Sequence, residues 1–82
     1  MLEKQQFEIA AIYIPAKRRR ELDPGKVETL AEDIMENGQK VPIRVRRDGE
    51  RLVLVEGLHR LEACRALGES QITGYLTHAA LR

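Results

Sequence analysis

The chain has one cysteine, no tryptophan and only three aromatic residues, Phe7, Tyr13 and Tyr75. A single cysteine, Cys64, excludes an internal disulfide, and the two isolated histidines give no metal-binding pattern. Three scattered aromatics also predict no base-stacking platform for single-stranded nucleic acid. Because no long apolar run and no leader peptide is recognisable, we expect a cytoplasmic protein with no membrane partner.

Neither sign of charge dominates the chain. It has 14 basic and 13 acidic residues and a net charge of +1, so composition alone does not indicate a nucleic-acid-binding protein. The charges are nevertheless segregated: basic residues form a run at 17–20 and a second group at 40–51, whereas acids concentrate at 28–36. We therefore expect a basic side and an acidic face, which is a weak indication of a polyanionic partner.

At 82 residues, the sequence predicts one small domain whose first six residues are frayed. Turn and capping signals divide it into a β-α-β-β-α-β order, in which the basic run is a loop. Asp23 and Pro24 begin the first helix and Asn37-Gly38 ends it. The predicted strands are 7–14, 42–47, 51–55 and 71–77, and the second helix is 58–67. This pattern predicts an α+β fold with a small mixed β-sheet flanked by two helices.

The junction between the third strand and the second helix breaks a local rule. It places His59 and Arg60 in the first turn of a helix, where a positive charge costs about 0.3–1 kcal/mol. Gly57 precedes them and lets the backbone bend. An anion at this N-terminus, most simply a phosphate, would offset the cost. The alternative is a surface turn whose cations are solvated or paired with Glu56 and Glu62, and the local pattern favours neither.

Three segments taken together resemble the ParB/sulfiredoxin superfamily, in its ParB N-terminal-like form. Residues 22–27 are similar to the superfamily's first helix, and residues 38–45 to its Gly, then Pro-Ile-x-Val, entry into the hairpin. Residues 57–63 match its Gly-x-x-Arg-x-x-Ala signature. The resemblance covers roughly residues 7–77 and implies the fold of that superfamily.

In that superfamily the Gly-x-x-Arg loop cradles nucleotide phosphates. ParB-type members use CTP to switch a DNA clamp, and sulfiredoxins use ATP to repair an over-oxidised cysteine. The resemblance thus implies a nucleotide- or phosphate-binding module, with CTP or ATP and Mg²⁺ as candidate ligands and plasmid or chromosome partitioning or DNA-associated regulation as its role. The binding residues that it implies are Gly57, Leu58, His59, Arg60, Ala63, Lys26, Thr29 and Arg19.

Two departures limit what the resemblance implies. Leu58 stands where sulfiredoxins carry the catalytic cysteine, and an aliphatic side chain cannot attack sulfur, so we do not expect sulfiredoxin activity. Cys64 lies on the predicted buried stripe and cannot replace it. The 82 residues also contain no helix-turn-helix, so we expect DNA binding to be weak and non-specific, or to pass through a DNA-bound partner protein. The candidate DNA-backbone contacts are Arg18, Arg19, Arg20, Arg44 and Arg46.

Two alternatives to a nucleotide-binding module stay open. One is a small ParB-like nuclease or a nucleotide-dependent phosphotransferase with Glu56 as base or metal contact. The other is a protein-interaction module that retains only the fold and uses the strand face of Arg44 and Arg46. Because the sequence offers no second carboxylate beside Glu56, it favours a binding module over an enzyme without deciding the matter.

Overall fold

The computed structural model describes residues 3–77 and confirms the α+β prediction. Within these residues, one mixed five-stranded sheet is accompanied by three helices and a single 3-10 turn, Ile9–Ala11. The strands are β1 (Lys4–Glu8), β2 (Ile12–Tyr13), β3 (Ile43–Asp48), β4 (Arg51–Glu56) and β5 (Gln71–Thr77). The helices are α1 (Ala16–Arg19), α2 (Pro24–Asn37) and α3 (Leu58–Ala66).

The strands lie in the order β1-β5-β3-β4-β2. Pairing is antiparallel for β1 with β5 and for β3 with β4, and parallel for β5 with β3 and for β2 with β4. The hairpin between β3 and β4 turns at Gly49-Glu50, one residue later than its Asp-Gly signal indicates, because Asp48 still pairs with Arg51. Gly49 has a φ of 65°, which favours glycine at this turn.

The core lies between one face of the sheet and the helices α2 and α3. Alternation along β3 points Ile43 and Val45 into it, and both are fully buried. Leu61 of α3 is also fully buried, and Ile34 of α2 joins the same cluster. Every buried residue in the described part of the chain is apolar. Burial of each large side chain contributes about 1.5–3 kcal/mol, so the helices are held mainly by this face.

Both ends of α2 follow from local chemistry. The Gly25 N–H donates to Oδ1 of Asp23 at 2.9 Å, and Pro24 occupies the first turn, where its missing N–H costs nothing. At the other end, Gly38 takes a φ of 78° and its N–H donates to the Ile34 carbonyl at 2.7 Å. The predicted boundaries of this helix are confirmed.

The N-terminal part of the fold differs from the sequence prediction in three ways. Residues 4–6, predicted to be frayed, form β1 and pair with β5, while residues 1 and 2 lie outside the described part. The predicted strand 7–14 is interrupted by the 3-10 turn, where the Ile9 N–H donates to the Ser70 carbonyl at 2.9 Å. The basic run forms α1, which adds a third helix to the predicted two.

Of the helices formed by residues 3–77, none has the length and apolar character needed to cross a membrane.

Candidate functional site

The chain passes from β4 into α3 at Gly57, and two independent features require glycine there. Its φ of 109° lies in the left-handed region that side-chain-bearing residues avoid. A Cβ added to it would lie 2.6 Å from Cγ2 of Ile43, which is a core residue. The Gly57 carbonyl then accepts the first hydrogen bond of α3, from the Leu61 N–H at 2.9 Å. The start of α3 is therefore fixed against β3.

His59 links the first turn of α3 to the start of α2. Its Nε2 accepts a hydrogen bond from the Asp23 N–H at 3.0 Å. Because an accepting Nε2 carries no proton, this contact requires the neutral imidazole with its proton on Nδ1. The bond joins residues that are 36 positions apart, so nothing in the local sequence pattern indicates it. As a result, the N-termini of α2 and α3 lie side by side.

A groove of about 590 Å³ opens at these two helix N-termini. Three residues that the resemblance implies for phosphate binding, Lys26, Thr29 and His59, line it together. The remaining lining residues are Asp23, Gly25 and Leu30. Lys26 and Thr29 are exposed, and one turn of α2 separates them on the same flank. The groove thus combines an ammonium, a hydroxyl, an imidazole and one carboxylate.

Arg60 follows His59 in the first turn of α3 and is half-buried, although it does not line the groove itself. Within residues 3–77, its guanidinium makes no ion pair. The carboxylates that the sequence offered as its partners are engaged elsewhere. Glu56 pairs with Arg44 at 3.8 Å and Glu62 pairs with Arg65 at 3.3 Å.

Two residues implied as binding residues have side chains in the core. Leu58 is 8% exposed and Ala63 is fully buried. Leu58 could therefore contact a ligand only through its backbone, and Ala63 packs α3 into the core cluster. The side chain at the position where the resemblance implies the sulfiredoxin cysteine thus lies in the core.

The remaining candidates lie outside the groove. Arg19 is exposed and its Nε donates to the Ile14 carbonyl at 3.2 Å, which attaches α1 to the end of β2. Arg18 pairs with Glu21 at 3.6 Å, with both side chains about half exposed. Arg20 makes no ion pair within the described residues. These arginines form a basic surface that is separate from the groove lining.

Glu56 lies at the end of β4, and its side chain is 73% exposed. It does not line the groove, and its carboxylate faces the guanidinium of Arg44. Across residues 3–77, no group of three or more histidine, cysteine and acidic side chains is arranged to hold a metal ion. The contact that the structure shows for the Glu56 carboxylate is thus its ion pair with Arg44.

Cys64 is 2% exposed, which confirms that it lies on the buried stripe of α3. Burial raises the pKa of its thiol above the ordinary value of 9.0, and Glu69 raises it further, while Arg60 acts in the opposite direction. The thiol is therefore protonated at neutral pH and is a poor nucleophile.

The protein family described as the ParB N-terminal domain matches residues 3–80. The chain belongs to this family. Sulfiredoxin from Arabidopsis thaliana has a similar structure, with a TM-score of 0.84 and 28% sequence identity over 94% of this chain and 86% of that one. No curated protein matches the sequence.

Two further solved structures share the family's fold. The chromosome-partitioning protein ParB from Caulobacter crescentus, complexed with CTP-γ-S, is 22% identical with a TM-score of 0.79, over 93% of this chain and 44% of that one. A free serine kinase in complex with ADP is 19% identical with a TM-score of 0.78, over 90% of this chain and 30% of that one. The present chain thus spans less than half the length of either protein.

Proposed function

We propose that the protein is a ParB-like module that binds a nucleoside triphosphate by its phosphates at the start of α3. The observation that carries this proposal is the pairing of two helix N-termini through the Asp23–His59 hydrogen bond, at a groove that also contains Lys26. The first turn of α3, before the bond from the Leu61 N–H to the Gly57 carbonyl, presents backbone N–H groups without intrahelical partners. Both helices present the positive end of a dipole. Their convergence favours an anion more strongly than either helix alone.

The side chains divide the work of holding the phosphates. Arg60 provides a planar guanidinium that can bind two phosphate oxygens at once, and no carboxylate within residues 3–77 competes for it. Lys26 adds a second point charge and Thr29 a hydroxyl donor from α2. Backbone N–H groups of the turn after Gly57 would complete the cradle.

The Asp23 carboxylate gives the groove one negative charge that a phosphate would oppose. Mg²⁺ is commonly bound between one or two carboxylates and substrate phosphates, so it would turn this repulsion into attraction. Asp23 already accepts from the Gly25 N–H, which holds its carboxylate at the mouth of the groove. For this reason we propose that CTP or ATP binds together with Mg²⁺, which the Asp23 carboxylate would help to hold.

The wider role that we propose is plasmid or chromosome partitioning, or regulation at DNA, in the cytoplasm. Two similar structures support it: one is a ParB complexed with CTP-γ-S, the other a ParB complexed with the centromeric parS site. In this proposal the groove binds the nucleotide, and the arginines of α1 and β3 meet the DNA backbone or a DNA-bound partner protein. Sequence-specific DNA binding would require the partner.

Calorimetric titration with CTP and with ATP, each with and without Mg²⁺, tests the proposal. We expect binding of at least one nucleotide, tighter with Mg²⁺, accompanied by shifts of the backbone amide resonances of residues 58–61. Arg60→Ala should weaken this binding. Arg65→Ala is its matched control, because it removes an arginine from the last turn of the same helix and should leave the binding unchanged. Shifts confined to amides elsewhere in the protein would contradict the site.

A phosphotransferase is the second candidate function, favoured by the similarity to a serine kinase in complex with ADP. It predicts that the protein releases ADP from ATP when an acceptor hydroxyl, such as that of free serine, is present. Glu56→Gln should abolish this release if Glu56 is the base. Equal ADP release by the wild type and by Glu56→Gln would remove Glu56 from any catalytic role.

A further inference from the structure

The face of the sheet opposite the core carries arginines and tyrosines that do not line the groove. Side chains alternate along each strand, so residues between the core positions of β3, β4 and β5 point away from α2 and α3. We call this surface the outer face and define it by six residues: Tyr13, Arg44, Arg46, Arg51, Val53 and Tyr75. The strand registers place Tyr75 beside Arg44, Arg46 beside Val53, and Val53 beside Tyr13.

One end of the outer face already contains a stacked pair. The Arg51 guanidinium carbon lies 4.3 Å from the centre of the Tyr13 ring, and Tyr13 is 42% exposed. Arg51 is also held by Asp48 at 3.0 Å. An aromatic ring that stays open to solvent beside a guanidinium offers a flat surface, next to a positive charge, on which a base can stack.

The centre of the outer face is formed by Val53 and its two neighbours in register. Val53 is 2% exposed, yet it is not part of the main core cluster. Its neighbours in register are Arg46 and Tyr13. Arg46 is half-buried and makes no ion pair within residues 3–77. An arginine with no anionic partner among the described residues thus lies in the middle of the face.

Tyr13 and Tyr75 lie on either side of the two β3 arginines of the outer face. Tyr75 on β5 and Tyr13 on β2 are three strand spacings apart, or roughly 14 Å. The sequence predicted no base-stacking platform because its aromatics are scattered, but the fold brings two of the three onto one face. Arg44 and Arg46 of β3 lie between them.

We propose that the outer face binds single-stranded nucleic acid, with Tyr13 and Tyr75 stacking bases and Arg44 and Arg46 contacting the backbone phosphates. The charges support this occupant. Arg46 has no acidic partner in the described part of the protein, and the Arg44–Glu56 pair is long, at 3.8 Å, and exposed. Exposed pairs of this kind contribute little to stability, so a phosphate can replace the carboxylate.

Fluorescence anisotropy with labelled oligo-dT and oligo-U of equal length tests the proposal at low and moderate salt and separates DNA from RNA. We expect each of Tyr13→Ala and Tyr75→Ala to weaken binding by about five- to a hundredfold, the usual effect of removing a stacked ring. Tyr75→Phe keeps the ring and should bind like the wild type. Tyr75→Leu keeps apolar volume without the ring and should bind weakly even if Tyr75→Ala unfolds.

Controls separate this surface from the other basic regions. Arg65→Ala, which removes an exposed arginine from α3, should leave oligonucleotide affinity unchanged. Tyr75→Leu should leave nucleotide binding unchanged, so the proposal can fail or succeed independently of the nucleotide site. Lys17→Gln on α1 and Arg20→Gln directly after it should lower affinity less than Arg46→Gln. Three results would overturn the proposal: no binding at low salt, tighter binding of duplex than of single strands, or an affinity that depends on α1 and not on the tyrosines. The first would leave the outer face to a protein partner.

Discussion

Replacement of Gly57 by alanine tests how the site is built into the fold. The substitution adds a Cβ that would lie 2.6 Å from Cγ2 and 3.0 Å from Cβ of Ile43, and it places an L side chain at a φ of 109°. Ile43 is fully buried at the centre of the sheet, so it has little room to move. The substitution therefore perturbs the start of α3 and the core together.

The expected loss of unfolding free energy in Gly57→Ala has two parts. A left-handed backbone costs a residue with a Cβ about 1–2 kcal/mol. Forcing extra volume into a packed core costs about 1–3 kcal/mol more. We therefore expect Gly57→Ala to lower the free energy of unfolding by about 2–5 kcal/mol, a large share of the margin of a domain of 82 residues.

Gly68 supplies a control that separates the two parts. Its φ is 82°, also left-handed, but an added Cβ would find no atom within 4 Å. Gly68→Ala should therefore show the backbone cost alone. Urea denaturation followed by circular dichroism measures both variants. A loss in Gly57→Ala that does not exceed the loss in Gly68→Ala would refute the argument that contact with Ile43 fixes this junction.

A double substitution then tests the named contact. Ile43→Ala removes Cγ2, the atom nearest to the added methyl group, so part of the cost of Gly57→Ala should disappear in this background. The two destabilisations should accordingly be less than additive, by an interaction energy of about 0.5–3 kcal/mol. Strict additivity would mean that the two residues do not meet.

Three further predictions concern the ligand, the cap and the thiol. Arg60→Ala should weaken nucleotide binding by about ten- to a hundredfold in calorimetry, because a charge-assisted hydrogen bond contributes roughly 1.5–3 kcal/mol. Arg65→Ala should not weaken it, and loss of folding in Arg60→Ala would instead make Arg60 a structural residue. Asp23→Ala should lower the free energy of unfolding by about 0.5–2 kcal/mol in urea, since it removes the acceptor for the Gly25 N–H. The thiol of Cys64 has a raised pKa in the folded state, so its contribution to stability is complete below pH 9.0 and is lost as the pH rises above that value. Above pH 9.0 the urea midpoint should therefore fall in the wild type and fall less in Cys64→Ala.

Local sequence rules predicted those elements whose causes are local. The cap residues of α2, the left-handed glycine that ends it and the alternation in β3 all lie within a few positions of the structure that they specify. Strand β5 and helix α3 were likewise predicted within one residue at each end. The hairpin turn shifted by one residue, because Asp48 remains paired with Arg51.

Features that depend on distant partners could not be predicted in this way. The interruption of the first strand is held by a bond from the Ile9 N–H to the Ser70 carbonyl, 61 positions away in the chain. The contact between Asp23 and His59 and the shared face of Tyr13 and Tyr75 are equally non-local. In each case the sequence supplies the residue type, and the sheet order decides which other residue it meets.

The two cations at the start of α3 look equivalent in the sequence, but the structure gives them different roles. His59 accepts a hydrogen bond from the Asp23 N–H through Nε2, so in this arrangement its ring is neutral and bears none of the penalty for a positive charge at a helix N-terminus. Arg60 cannot lose its proton and has no anionic partner within residues 3–77. The unfavourable charge that indicated a binding site therefore resides on Arg60 alone. It follows that His59 positions the two helices and that, in the proposed function, Arg60 is the cation that meets the phosphate. His59→Ala should therefore change both stability and affinity, whereas Arg60→Ala should change affinity only.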